Sequence, residues 1–313
     1  MPGFDVTEAV SAADLARYDA VIDVRSPAEF ALDHLPGAEH LPVPASFRPL
    51  IYCWRGGQRS EAMATILSQV GWPVTLLRGG YRTYRRLVTA RLYDTPQDLK
   101  LLLIDGHTGS AKTEVLHELA RLGAQIIDLE GLAAHRGSLF GALAGRPQPS
   151  QKLFESQLLQ VLDGLDLTRP IVVEAEASKI GDRMTPPVLW RAMQTAPRIV
   201  LEAPQVSRAH YLAAAYGDIS ADTDALEAAF DRLPVAPSQE RREAWRAMIA
   251  AGAFADLAQA LIDLHYDPAY DRAAKKADAP VLTRLAIEPA DPNSRAAAAR
   301  AIAGAVQVRY GGL

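Results

Sequence analysis

The sequence predicts an α/β chain of two domains, 1–92 and 93–313, with the second turning helical from about residue 207 to 313. Three observations carry this expectation. The 313 residues exceed one ordinary core. Short apolar runs alternate with amphipathic stretches twice over, which is the pattern of parallel strands joined by crossover helices. In each half, one apolar run leads directly into a Gly-containing loop that opens a helix: "CWRGGQRS" from Cys53 and "GHTGSAKT" from Gly106.

In the first half, "DAVIDVRS" (Asp19–Ser26), "PLIYCW" (Pro49–Trp54) and "PVTLLRGG" (Pro73–Gly80) read as strands. Between the last two, Ala62, Ile66, Leu67 and Val70 recur at helical spacing and Gly71 supplies a stop. Strand, helix and strand imply a right-handed parallel crossover. "YDTPQDLK" (Tyr93–Lys100) is polar, contains Pro96, and reads as a linker. In the second half, "LLLIDG" (Leu101–Gly106), "AQIIDLEG", "PIVVEAE" and "PRIVLEAP" read as strands. "AKTEVLHELARLG" and "KLFESQLLQVLDGL" read as helices, the first with Val115, Leu116, Leu119 and Leu122 on one face. From Ser207 the pattern is helical and Ala-rich, and "SRAAAARAIAGAVQ" (Ser294–Gln307) is of low complexity.

Composition bounds the function. Apolar residues make up 49% and charged residues 22%, the profile of a globular protein rather than a disordered one. A net charge of −4 argues against a general nucleic-acid coat and leaves room for local basic patches. One cysteine cannot form an internal disulfide. "MPGFDVTEAV" lacks a basic start followed by an apolar run, and no run approaches the roughly 18 apolar residues of a membrane span. A cytoplasmic protein with no membrane partner is expected.

"GHTGSAKT" (Gly106–Thr113) stands in the strand-to-helix context in which Gly-x-x-x-x-Gly-Lys-Thr wraps phosphate. Backbone N–H groups of Gly106, Thr108, Gly109, Ser110 and Ala111 would face a polyphosphate, helped by the helix N-terminus. Lys112 would neutralise terminal oxygens, and Thr113 offers a hydroxyl to Mg²⁺. Ala111 stands where the motif has its last glycine; if that position needs φ > 0, its methyl costs on the order of 1 kcal/mol. The competing reading is a chance Gly-rich turn. Glu174 and Glu176, where a strand exits, are candidates to orient Mg²⁺ water, or are a solvated strand end. Asp128 and Glu130 are similarly placed, and His135, Arg136 and Ser138 follow them on a Gly-bounded segment. The seven histidines show no paired spacing, so no zinc site is expected.

Cys53 follows an apolar strand, and Arg59 and Ser60 begin the next helix. Trp54, Arg55, Gly56, Gly57 and Gln58 lie between them. Successive N–H groups in such a loop can hold a thiolate, a persulfide or an oxyanion. A lone cysteine can instead be a small core hydrophobe. From Arg48 to Arg91 there are eight arginines (48, 55, 59, 78, 82, 85, 86, 91) against one acid, Glu61. That surplus suits an anionic substrate or a nucleic-acid backbone.

"DVRSPAEF" (Asp23–Phe30), "HLPGAEHLP" (His34–Pro42), the Cys-x₅-Arg loop and "LRGGYRTY" (Leu77–Tyr84) resemble a rhodanese domain. With the phosphate loop behind it, and with "CWRGGQRS", "DLEGLAAHRGSLFG" and "EASKIGDR", the chain resembles the tRNA 2-selenouridine synthase family from about Ile22 to Arg272. The resemblance implies a rhodanese-like domain followed by a P-loop NTPase-like parallel-sheet domain. It also implies a transferase with no tightly bound cofactor, acting on wobble-position 2-thiouridine of tRNA. Sulfur would be exchanged for selenium from selenophosphate through an S-geranyl intermediate made from geranyl diphosphate. Cys53 falls on the family's essential cysteine, with Arg55 and Arg59 beside it, and Lys112 and Thr113 fall on its Walker A residues. Between "HLPVPA" and "SFRPL" the family carries further basic and helical residues that this sequence lacks near 44–47, by deletion or omission. Arg208, Tyr211, His265 and Tyr266 in the helical region are candidates for a tRNA or prenyl-chain surface. An ATP-dependent P-loop kinase fused to a sulfurtransferase, with Glu174 as catalytic carboxylate, and a non-catalytic sulfur-relay protein are the alternatives.

Overall fold

The computed structural model describes residues 20–23, 26–35, 38–40, 47–138, 140–217, 226, 230, 231, 233, 237–274 and 279–311. The chain divides into two compact units, Met1–Arg86 and Leu87–Leu313.

In the first unit, β1 (Ile22–Asp23) pairs in parallel with β2 (Glu39–His40), and α1 (Pro27–Leu32) lies between them in sequence. A capping box starts α1, with Ser26 accepting from the Glu29 amide and Glu29 reaching back to Ser26. β3 (Leu50–Ile51) pairs in parallel with β4 (Thr75–Leu76) across α2 (Gln58–Gln69), the crossover that the spacing predicts. The strands are only two residues long, shorter than the apolar runs that announce them. α2 buries Ser60 alone, and its expected apolar face is open, with Ile66 and Val70 about half exposed. Positions 24–25, 36–37 and 41–46, parts of the motifs quoted above, lie outside the described residues. α3 (Tyr81–Thr89) and a π-helical turn (Ala90–Asp94) follow.

The stretch expected as a linker is packed. Leu92 and Leu99 are buried in the second unit, and Tyr93 donates through its hydroxyl to Glu155 at 2.6 Å. The polar residues around Pro96 masked two core leucines.

The second unit is a parallel five-stranded sheet. Its strands are β5 (Leu101–Asp105), β6 (Gln125–Ile127), β7 (Ile171–Glu174), β10 (Arg198–Glu202) and β11 (Val281–Ala286), in the order β11-β10-β5-β7-β6. β5 and β7 are buried throughout, as unbroken apolar runs in a doubly covered parallel sheet should be. β5 is central; the strands that follow it first lie on one side and the later ones on the other. The ends of β5 and β7 therefore open at the crevice where α/β sheets bind ligands. A short antiparallel pair, β8 (Lys179–Ile180) and β9 (Arg183–Met184), follows β7.

The helices are α4 (Lys112–Arg121), α5 (Leu129–Ala133), α6 (Gln151–Asp163), α7 (Pro187–Thr195), α8 (Gln205–Ala215), α9 (Gln239–Ala250), α10 (Phe254–Leu261), α11 (Asp267–Ala274) and α12 (Pro292–Tyr310). Ser150 and Ser238 cap α6 and α9 through their side chains. Among the described residues, no helix is long and apolar enough to cross a membrane.

Two expectations for this unit are corrected. The region after residue 207 is not wholly helical: β11 forms an edge strand on β10. Its alternating exposure explains why a helical, Ala-rich context hid it. On α4, Leu122 is the C-cap residue and is 44% exposed, so the buried face is Val115, Leu116 and Leu119. The low-complexity stretch, by contrast, is core. Ala298, Ala299, Ile302, Ala303 and Val306 of α12 pack with the buried residues of α4 and β5, small side chains letting the helices approach closely. Replacing Ile302, which is fully buried, by alanine is expected to destabilise this unit by about 2–5 kcal/mol. Urea unfolding followed by circular dichroism measures that loss.

Candidate functional site

β5 delivers the chain into Gly106 at the end of an apolar strand, and its last residue is a carboxylate. Asp105 is 5% exposed and accepts from the Gly106 amide at 2.8 Å, Arg198 at 2.9 Å and the Tyr270 hydroxyl at 3.0 Å. Three donors offset the cost of burying that charge. Gly106 has φ 149°, and a Cβ there would come within 2.7 Å of the Leu201 carbonyl and the Ser110 hydroxyl. The loop then turns through Gly109 and reaches Ala111 at φ 56°, ψ 39°. The left-handed geometry anticipated at the missing glycine is present, and alanine occupies it.

Lys112 donates to the Gly106 carbonyl at 3.0 Å, curling over the loop, and Thr113 donates to Glu130 at 3.0 Å. The loop forms one wall of a cavity of about 1210 Å³, with Glu130, Arg136, Ser138 and Glu176 in its lining. Trp190, Met193, Tyr211, Leu212, Tyr216 and Tyr266 supply apolar and aromatic walls.

Glu130 and Glu176 hydrogen-bond to each other. Burial, followed by the charge of Glu176, pushes Glu130 up to about 8, against the pull of Lys112 and Thr113. Burial raises Glu176 as well, with Lys112 opposing. The two carboxyl groups form one buried pair, both held above the usual carboxylate range. Gly137, at φ 63°, lies over it: a Cβ there would fall 2.5 Å from Glu176 and 2.7 Å from Glu130. Arg136 lies 4.7 Å above the Tyr216 ring, and the Tyr216 hydroxyl meets Ser138 at 2.8 Å. One tyrosine thus positions both residues.

Five sequence candidates stand outside the cavity lining. Glu174 is fully buried, accepts from the Leu129 amide at 3.0 Å and is pushed well above the usual carboxylate range, first by burial and then by Asp128 and Glu130. It is neither a solvated strand end nor an available base. Asp128 caps α5 through the Gly131 amide at 2.6 Å and pairs with His117 at 2.8 Å. His135 is packed between Gly141 and Gly181. Arg208 is 3% exposed, so it is not part of a surface. It forms a two-pronged pair with Asp267, at 2.9 and 2.7 Å, and donates to the Thr108 carbonyl at 3.1 Å. Tyr211 and Tyr266 do line the cavity; His265 does not.

Asp105, Gly137, Arg198, Tyr216 and Tyr270 were not singled out from sequence. Asp105 carried a signal, a lone carboxylate closing an apolar strand before the first loop glycine. Arg198, Tyr216 and Tyr270 reach the site only through tertiary structure.

In the first unit, Cys53 sits in a loop built by close backbone contact. Gly56 and Gly80 both have positive φ, and a Cβ on Gly80 would lie 2.1 Å from the Cys53 carbonyl. The Tyr81 amide donates to that carbonyl at 2.9 Å. "LRGGY" thus forms the floor under "CWRGG". Ser60, first-turn and buried, donates from its hydroxyl to the sulfur at 3.2 Å. That bond, then the Gly57 backbone and the amides of Arg55 and Ser60, lowers the Cys53 thiol to about 6 against its burial. A thiol lowered this far ionises more readily than an ordinary cysteine, which favours the reactive alternative of the two the sequence left open.

Comparison with known proteins agrees with this layout. Residues 5–87 match the rhodanese-like domain and residues 99–234 match the tRNA 2-selenouridine synthase AAA domain. The chain thus resembles the tRNA 2-selenouridine synthases, with a rhodanese-like domain followed by their AAA domain. A protein named tRNA 2-selenouridine synthase from Nitrosomonas europaea is 30% identical over 236 residues, covering 60% of this chain and 61% of that protein. Proteins of the same name from Shewanella frigidimarina and Cupriavidus pinatubonensis are 36% and 39% identical, over 50% and 49% of this chain and 42% and 41% of theirs. The chain thus spans less than two thirds of the length of these tRNA 2-selenouridine synthases. A shikimate kinase from Bacteroides thetaiotaomicron aligns with 66% of this chain and 98% of its own at TM-score 0.30 and 12% identity, too distant a likeness to bear on fold or activity.

Two outcomes are expected. Cys53 is the only cysteine, so iodoacetamide labelling reads it alone. The alkylation rate should rise with pH to a midpoint near 6, and Ser60→Ala should move that midpoint upward. Ala111→Gly removes a side chain from a left-handed position and should stabilise the second unit by about 0.5–1 kcal/mol, read in the urea midpoint.

Proposed function

We propose that this chain converts 2-thiouridine at the tRNA wobble position to 2-selenouridine, with geranyl diphosphate and selenophosphate as co-substrates. The observation that carries the reading is a phosphate loop opening into a cavity that also has apolar and aromatic walls. A ligand with an anionic head and a greasy tail suits both ends of such a space. The buried Ser110 hydroxyl has no partner among the described residues, and a phosphate oxygen would satisfy it.

In the first step, the thiocarbonyl sulfur attacks C1 of geranyl diphosphate, the C–O bond breaks and diphosphate departs. Lys112 and the loop amides offset the charge growing on the leaving group. Thr113 and Glu130, both oxygen donors, fit Mg²⁺, which would add to that neutralisation when bound. No nucleotide hydrolysis is needed, which relaxes the demand for a complete Walker A motif. In the second step, the selenium of selenophosphate attacks C2 and the geranyl thiol leaves, alkylation having converted sulfur into a better leaving group; water then cleaves the P–Se bond and phosphate departs. Cys53, beside exposed Arg55 and Arg59, would assist delivery of that selenium from the anion they attract, with no S–Se bond formed.

The two steps should separate by mutation. Lys112→Ala is expected to slow geranylation by about 100-fold or more. Cys53→Ala should leave geranylation largely intact and abolish selenium incorporation. Mass spectrometry of tRNA nucleosides from cells carrying each variant measures both. Normal selenouridine from Cys53→Ala removes the role given to that sulfur; rapid ATP turnover with unchanged tRNA nucleosides overturns the whole reading.

A further inference from the structure

Trp54 follows the reactive cysteine directly, yet it is not part of the loop's anion-binding machinery and is 51% exposed. Its ring is stacked on Tyr81, with centroids 5.2 Å apart and planes 26° from parallel. Tyr81 is fixed by its backbone N–H, which donates a hydrogen bond to the Cys53 carbonyl at 2.9 Å, and the next amide, that of Arg82, donates to the Trp54 carbonyl at 3.3 Å. The indole is therefore presented at a fixed position, with one face on a tyrosine and half its surface open.

The surroundings restrict what could cover it. Arg55, Arg59, Arg78, Arg82 and Arg86 are exposed, and none has an ion-pair partner among the described residues. Arg55 adjoins Trp54 in sequence, and Arg82 adjoins Tyr81. An apolar peptide or lipid tail gains nothing from five uncompensated cations. A flat ring carried on a phosphate backbone gains from both the ring and the charges, since any base can stack on an aromatic face while cations track the strand.

We propose that Trp54, backed by Tyr81, is a stacking platform for an unpaired nucleobase of the RNA substrate, and so a positioning residue that holds the base to be modified next to Cys53. Trp54 and Cys53 are neighbours in the chain, with Cα atoms about 3.8 Å apart, which puts the platform on the same loop as the sulfur. The proposal rests on the RNA-modifying function given above, and names the side chain that would receive the base in the first unit.

The test uses the full chain and two anticodon stem-loop RNAs at one fixed salt concentration. One carries 2-thiouridine at the wobble position, and the other an abasic site there. The wild-type protein is expected to bind the first about tenfold more tightly than the second. Trp54→Ala should bind both with the affinity of the abasic RNA, while Trp54→Phe, which keeps a ring, should retain most of the difference. Cys53 alkylation with its midpoint still near 6 in each variant shows the loop intact. If Trp54→Ala discriminates as well as wild type, or if wild type binds both RNAs equally, the platform is wrong and the RNA-modifying function stands. If wild type binds neither RNA, both fall together.

Discussion

The second unit depends on a buried guanidinium. Arg208 has almost no contact with water, so its charge must be met inside the protein, and Asp267 meets it with both carboxylate oxygens. The same guanidinium donates to the Thr108 carbonyl, and the Arg208 backbone presses on Gly109, where a Cβ would lie 3.0 Å from its carbonyl. The pairing thus ties α8, α11 and the phosphate loop together. From Asp267 the rest of α11 follows at helical spacing. Tyr270 bonds Asp105 on one shoulder of the loop and stacks on His107 at 4.0 Å, while Asp271 lies 3.3 Å from the His107 ring nitrogen. One helix face more than 150 residues downstream positions a loop whose backbone would otherwise have few contacts of its own.

Opposite that loop the electrostatics are arranged to receive negative charge. Four carboxyl groups, Asp128, Glu130, Glu174 and Glu176, lie close to one another, Glu130 and Glu176 beside Lys112, and full ionisation of the cluster would repel a polyphosphate. Burial raises Glu174, Glu130 and Glu176 above the usual carboxylate range. Asp128 is occupied by the α5 amide and His117. The site therefore carries less negative charge than its composition suggests. Gly137 is required for the compactness of this arrangement, because any side chain there would displace the Glu130–Glu176 pair.

The first unit solves a different problem with one serine hydroxyl and the backbone. Holding a thiolate needs several N–H donors within reach of one sulfur, and that needs a tight loop pressed against a second loop. Gly56 and Gly80 permit the approach, which no residue with a Cβ could occupy without moving the backbone. The exposed arginines around it add long-range attraction for anions, while the short hydrogen bonds set the state of the sulfur.

Sequence alone determined the two loops, their strands and helices, and the places of Cys53 and Ala111 within them. In each case the signal lies within a dozen contiguous residues and follows from backbone geometry. Tertiary structure decided the rest. Arg208 looked like a surface cation because its partner is 59 positions away. Glu174 looked like an available base because burial depends on what α5 and the neighbouring strands place around it. β11 was hidden by an Ala-rich context and exists because β10 offers it an edge. Asp105 was visible as a lone carboxylate, but its partners Arg198 and Tyr270 were not. Chain-local rules specify where a loop turns; only packing across the fold decides which charges meet there and which of them remain ionised.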